Sequence, residues 1–465
     1  MTSKLVQSFN ALPRHSKTPS GLVPNEWHFD IRYVHLEKTP SHILAIMQPE
    51  SRYFHMERLP IGLSTESSGI AFFPESAKEA APQVAKAILY AFVQRLGQKQ
   101  MMTFSGSMTS TDQLAPWRLT TEDKALATAV GAEFKRLGVC PDALCRIGVS
   151  TTSMNKIMQD KFHNLFRGLM KMVGIKDHIS PFISTPMSIV FQKLHPRAHP
   201  KPSEGEDGKL ELALNYAQEL CRSRPLKSNE EVGAASLGIV EEIKAVQKMI
   251  TERPVNLVKA EADAGDPESA FDYGLRCVTF QSSLHLFHVS FYVRLLVGLG
   301  CEYDRTLARA YIIKALSSTR ASDELKCAAH GTLINWYMSA DEKTLPTRYL
   351  FTASHHANIA ASLCRRVSPP GAPASPAVLW FMSRVFEPHS HNVPELMYFF
   401  KDAWRAWEDR TAQMAAGREK MEEKRLKYPN RYRCAAVGCG IEADTGKMLQ
   451  KCKFFRNFIQ WQNIT

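Results

Sequence analysis

Long hydrophobic runs are missing from this chain of 465 residues. No stretch of 18 or more apolar residues occurs, so nothing reads as a membrane-spanning helix. The first residues have no apolar core of the kind a secretory signal needs. Cysteine is scarce: ten thiols are scattered along the chain, far too few for a disulfide scaffold. That usage fits a reducing, intracellular compartment, cytoplasmic or nuclear. Residues 1–25 contain no acid, while Lys4, Arg14, His15 and Lys17 are basic. They read as an unstructured basic N-terminus, with a weaker likeness to a mitochondrial presequence. The net charge of +12 comes without any long Lys/Arg block. A basic soluble protein accounts for it, and nucleic acid stays open as a minor partner class.

Catalytic signatures are missing as well. The chain has no GxSxG, no phosphate-binding P-loop and no HExxH. Gly298-Leu-Gly300 is a lone G-x-G in a helical context. The sequence is read as that of a protein that is not an enzyme.

What is present is an ordinary globular composition, 44% hydrophobic and 22% charged, arranged mostly in helical periods. The expected fold is mainly α. An irregular N-terminal domain with some strand (26–194) follows the basic N-terminus (1–25). Strand-like alternation appears at Trp27–Val34 and His42–Met47. Helical periods follow from Pro82 to Leu96, with Pro82 in the first turn, and from Thr120, expected as the N-cap, to a stop at Gly138. Cys140 and Cys145 are expected as two buried thiols. A helix from Ser153 carries a methionine-rich stripe, Met154, Met158 and Met172 among it, expected to be core.

The stretch 195–208 is rich in proline, glycine and charge and reads as a linker. Its His195 and His199 are taken as solvated. A helical domain (209–427) follows. Within it, Ala264-Gly265-Asp266-Pro267 opens a unit that Asp304–Ala315 closes, with Ala308 and Ala315 small enough for close helix approach and Tyr311 filling the groove. This pattern resembles the Sel-type repeat, a relative of the tetratricopeptide repeat. The intervening stretch, with its own apolar run Phe287–Leu299, is longer than that family's loop, so the unit is degenerate. Ala328–Tyr337 begins a second candidate unit. Such repeats imply a stacked array used as a binding surface. The alternative is an irregular all-helical domain. A second breaker cluster, Ser368–Pro376, reads as a loop on the array. A long helix is expected from Asn392, with Pro394 in its first turn. Beyond Arg410 it turns charged and solvated.

The C-terminal stretch 434–465 carries the most specific chemistry. Cys434 and Cys439 flank a turn eased by Gly438 and Gly440, and Cys452 follows a short loop. Thiolates are soft, charged donors that suit the tetrahedral preference of zinc. Cys434, Cys439, Gly440, Leu449 and Cys452 resemble the opening of a MYND-type zinc finger of the fungal type, over about thirty residues. The resemblance implies metal ligands at Cys434, Cys439 and Cys452, zinc as cofactor, and protein partners bound through short, often proline-containing peptides. A MYND finger holds two zinc ions with seven cysteines and one histidine. Here the later cysteines are missing, and no histidine follows His391. The finger is therefore incomplete, and zinc is expected to bind weakly or not at all, leaving the tail largely unfolded. Such fingers also accompany lysine methyltransferases, but no Asn-His-Ser-Cys-like motif occurs. The tripeptide Cys452-Lys453-Phe454 is encodable with the string GTAAGT, an intron donor site. A retained intron is the expectation, against a genuinely degenerate finger, and message sequenced across the Cys452 codon tells the two apart.

Overall fold

The structure, a computed structural model, describes residues 2–18, 21–34, 40–62, 71–94, 96, 114–172, 185–191, 206–228, 240–277, 304–339, 347–390 and 399–428. The fold is mainly α with an N-terminal strand region, as the periodicities imply. After helix α1 (Thr2–Asn10) the chain enters β1 (Glu26–Val34), β2 (Ser41–Gln48) and β3 (Tyr53–Leu59). Helix α2 (Ala77–Val93) leads to β4 (Arg118–Thr121), and α3 (Lys124–Leu137) leads to β5 (Gly148–Val149). The strands form one mixed sheet in the order β3-β2-β1-β4-β5. The first three are antiparallel, whereas β4 and β5 continue the sheet in parallel. The N-terminal block is thus a more regular α/β layer than the sequence implied.

Alternation along β1 sorts its side chains onto two faces. Trp27, Phe29 and Ile31 join Leu44 and Ile46 of β2 in a core shared with α1, α2 and α3. His28, Asp30 and Arg32 lie on the other face, which α4 (Thr152–Met172) covers with Met158, Phe162 and Phe166. Burying Asp30 beside Arg32 is tolerable because the pair is bidentate. Arg32 Nε and Nη2 reach the carboxylate, Nη1 reaches Gln159 Oε1 at 2.6 Å, and the guanidinium sits 4.4 Å from the Phe162 ring centre. β4 covers only the first residues of β1. Beyond it Ile189 N–H donates to the Ile31 carbonyl, so residues 185–191 complete that edge.

Several local expectations shift. Helix α2 begins five residues before Pro82, capped by Ser76, whose hydroxyl accepts from Glu79 N–H while Glu79 reaches back to Glu75 N–H. Pro82 lies inside the helix and removes one ladder donor. Thr120 is a β4 residue, and Asp123 is the cap, accepting from Ala125 N–H at 2.9 Å. Gly138 is the left-handed stop, φ 78°. Cys140 is exposed and Cys145 only half buried, because the short 3-10 turn Asp142–Cys145 carries them along the surface. Of the methionine stripe, Met158 is core but Met172 is exposed.

The helical block opens with α5 (Glu206–Ser223), so the last residues of the expected linker 195–208 are helical; 192–205 lie outside the described residues. Then come α6 (Val240–Glu252), α7 (Val255–Asp263), α8 (Pro267–Cys277), α9 (Arg305–Ser317), α10 (Asp323–Met338) and α11 (Thr347–Val367). Gly265 (φ 93°) ends the α7 turn, and Asp266 caps α8 through Ser269 N–H at 2.8 Å. The α8–α9 contact is close, as expected: Ala308 and Ala315 are buried, and Tyr311 meets Tyr273 with ring centres 4.6 Å apart. The Phe287–Leu299 run lies outside the described residues.

The Ser368–Pro376 cluster is a loop on this block, turning at Gly371 (φ 83°) into α12 (Pro376–Phe381). A π-helical turn (Met382–Phe386) joins α12 to α13 (Glu387–Ser390). The long helix α14 spans Lys401–Lys427, and Asn358 Oδ1 of α11 caps it by accepting from Asp402 and Ala403 N–H; Asn392, where a start is expected, lies outside the described residues. Pro394 lies outside the described residues. Met1–Ala403 form one compact unit, and Trp404–Thr465 a second. Past Arg410, α14 is exposed or half buried, as its charge predicts.

Gly331 of α10 sets a close helix approach between α10 and α5. A Cβ there would stand 2.8 Å from both Cα and the carbonyl oxygen of Ser223 on α5. Backbone cannot rotate away as a side chain can, so Gly331→Ala is expected to destabilise the chain by about 1–3 kcal/mol despite the better helix propensity of alanine. A lowered urea midpoint at unchanged slope checks this.

Candidate functional site

The sequence-predicted ligands Cys434, Cys439 and Cys452 all lie outside the described residues. Among the described residues no group of three or more His, Cys, Asp or Glu side chains is placed to hold a metal ion. Among the described residues, a gathering of aromatic and charged side chains lies where Ala71–Glu75 meets the helices α9, α10 and α11.

Phe73 is the centre of that gathering. Its ring packs edge-on against His42 at 5.3 Å, Tyr337 at 4.9 Å and Tyr349 at 4.8 Å. The Arg348 guanidinium lies over the same ring at 4.7 Å. Two residues on, Glu75 Oε1 accepts from Tyr349 OH at 2.7 Å and from Arg305 Nε at 3.1 Å. Arg305 also stacks on Trp336 at 3.8 Å and donates to Ser339 Oγ. Arg309 Nε donates to Tyr337 OH at 2.8 Å, and Tyr33 OH shares a 2.6 Å hydrogen bond with Thr352 Oγ1.

These partners explain how three arginines stand inside a folded protein. Aromatic faces and bonded oxygens replace part of the water each guanidinium loses. Burial still holds Arg348 below its ordinary range, opposed by the fields of Tyr349 and Glu75. Arg348 Nη1 is a donor, and His42 Nε2 lies 3.1 Å away, so that nitrogen accepts and the proton sits on Nδ1. Burial, then the charges of Arg348 and Arg309, hold His42 well below its usual range, in the neutral form that acceptance requires.

The α10–α11 seam continues the pattern. His330 Nδ1 and His356 Nδ1 are 2.7 Å apart, and His356 stacks on Tyr337 at 5.4 Å. Desolvation, with the field of His355, lowers His330 to about 3, and desolvation with His330 and His355 lowers His356 well below the usual value. One turn further along α10, Cys327 Sγ lies 3.1 Å from Cys364 Sγ of α11. On the opposite side Asn335 and Ser223 bond the buried Glu219 carboxylate, whose range burial raises.

Chemically, this cluster holds segments together. Its arginines, tyrosines and carboxylate bond one another in a buried interior. The sequence places Tyr33 and His42 in strands and Arg305, Arg309, Trp336 and Tyr337 in helical units, but nothing in it brings them together. The participants run from position 33 to 356, and no local spacing signals a gathering of that span. No family model matches the chain, and no curated protein or solved structure is similar to it.

The depressed histidines fix a pH dependence. Unfolded, each takes a proton near pH 6.5; folded, His42, His330 and His356 stay neutral far below that. The unfolded state then binds more protons, so stability is full above about pH 6.5 and falls as pH drops, by up to about 1.4 kcal/mol per unit for each histidine. Glu219, raised by burial, acts in the opposite direction: its contribution is full at acid pH and is lost as pH rises. The urea midpoint is expected to fall steeply between pH 7 and pH 5, and His356→Gln should flatten the slope.

Proposed function

We propose that the chain is a protein-interaction scaffold that joins a helical array to a MYND-type zinc finger at its C-terminal end. The cysteine spacing Cys434, Cys439, Cys452, with Gly440 and Leu449 between, carries this reading. Two features support it. Helix α14 runs through Lys401–Lys427 with a charged, solvated second half, a suitable spacer ahead of a small binding module. The α8–α9 contact follows the close-packed geometry of repeat helices, with Gly274 facing Ile312 and Ala308.

The three thiolates suit one zinc ion and leave its fourth position open. Once bound, zinc supplies folding energy to the finger and no chemistry of its own. The partners would be proteins, through proline-containing peptides that a complete finger grips and through the array. Nucleic acid is the minor alternative that the net charge of +12 keeps alive, and it predicts binding that weakens steeply with salt. No helix among the described residues is long and apolar enough to cross a membrane. The described cysteines are free thiols, in keeping with a reducing compartment, cytoplasmic or nuclear.

The second reading is a helical scaffold with a vestigial finger. Native mass spectrometry of the full-length protein separates the two. About two zinc ions per chain, reduced by Cys434→Ser, support the finger. A metal-free chain supports the plain scaffold.

A further inference from the structure

Cys327 and Cys364 differ from the other described cysteines in having each other. Cys327 lies on α10 and Cys364 near the end of α11, both buried, at 0% and 3% exposure. Their sulfurs stand 3.1 Å apart, closer than two thiols need for ordinary packing, and one S–H points at the other sulfur. Thiolates sharing a tetrahedral zinc at ~2.3 Å would sit about 3.8 Å apart, and no further His, Cys, Asp or Glu among the described residues joins them to make a metal group. The two sulfurs already face each other across the α10–α11 seam, so a covalent bond asks them to close by about 1 Å.

We propose that Cys327 and Cys364 are a reversible dithiol–disulfide pair, oxidised by a peroxide and locking α10 to α11. The chemistry balances without any further reagent. Cys364 loses its proton and its sulfur attacks one peroxide oxygen; the O–O bond breaks and the departing hydroxide takes that proton to become water. Cys364 is then a sulfenic acid. The Cys327 sulfur attacks the Cys364 sulfur, the S–O bond breaks, and the hydroxide leaves as water with the Cys327 proton. Two thiols give up two electrons, and one peroxide becomes two waters.

The order of attack follows from the surroundings. A hydrogen bond from Cys327 holds the Cys364 thiol below its ordinary range, against burial, with help from the Ser375 backbone. The same contact, then burial, pushes Cys327 up. Cys364 is therefore the sulfur that ionises and reacts first, and Cys327 the one that resolves it. A peroxide is small enough to reach a buried sulfur through local opening of the seam. The bond would close a loop from 327 to 364 and fix the helix pair whose far ends, Tyr337 and Tyr349, clamp Phe73.

The test uses the full chain. The reduced protein is treated with hydrogen peroxide, blocked with N-ethylmaleimide in denaturant, digested without reductant and mapped by mass spectrometry. A Cys327–Cys364 linked peptide at least ten times more abundant than any other cysteine pairing is expected. Dithiothreitol should abolish it, and the oxidised chain should melt several degrees above the reduced one. Cys327→Ser should lose both the link and the shift. The proposal is overturned if both thiols are recovered maleimide-labelled after the exposed Cys140 has been oxidised. Oxidation of each sulfur to a sulfinic acid without a link overturns it equally. The wild-type map decides the matter even where a serine variant folds poorly.

Discussion

The insertion of Phe73 between the end of a sheet and three helices is the contact on which the architecture of Met1–Ala403 depends. On one side its ring meets His42 of β2 and Tyr33 of β1. On the other it meets Tyr337 of α10 and Tyr349 of α11. The residue two places on, Glu75, binds Arg305 and Tyr349, and the next, Ser76, caps α2. Six residues of chain therefore anchor the sheet to the array and start the helix that covers the sheet. Removing the ring would take an aromatic face from two guanidinium groups, Arg348 and Arg309, and leave a void beside them, which costs more than the lost area alone.

Charge is managed in this interior by neutrality as much as by pairing. The Arg348 guanidinium rests on three aromatic rings, Phe73, Tyr349 and Phe191, and a histidine that must stay uncharged. His330 and His356 are uncharged neighbours because burial disfavours a charge on either; one Nδ1–H donates to the other Nδ1 across 2.7 Å, and a further proton would set two charges side by side. The α10–α11 seam repeats this pairing of like with like, histidine on histidine and cysteine on cysteine. Such a seam is rigid while its protons stay in place and sensitive to acid and oxidant when they do not.

The sequence made some of this legible. Alternation in Trp27–Val34 and His42–Met47 marked β1 and β2 because buried strands concentrate apolar residues at period two. β4 and β5 escaped because they are four and two residues long and are held by neighbours far along the chain. Thr120 looked like a cap because threonine serves both roles; only its pairing opposite His28 reveals a strand, leaving Asp123 to cap. Cys140 and Cys145 looked buried because free cysteine usually is, whereas a short surface turn carries them here. The junction residues carried no local signal, since His42, Glu75, Arg305 and Arg348 meet only after folding. The cysteine spacing at 434, 439 and 452 was the reverse case, a strong local pattern that lies outside the described residues.

Together these points describe a body in which sheet and helices are expected to unfold as one. Amide hydrogen exchange tests the body most directly. Slow amides of β1 and β2 should share one opening free energy with those of α10 and α11, and Phe73→Ala should lower both sets by the same amount. If Phe73→Ala speeds exchange in the sheet while the helices keep their protection, or the reverse, the two halves are independent and the account fails.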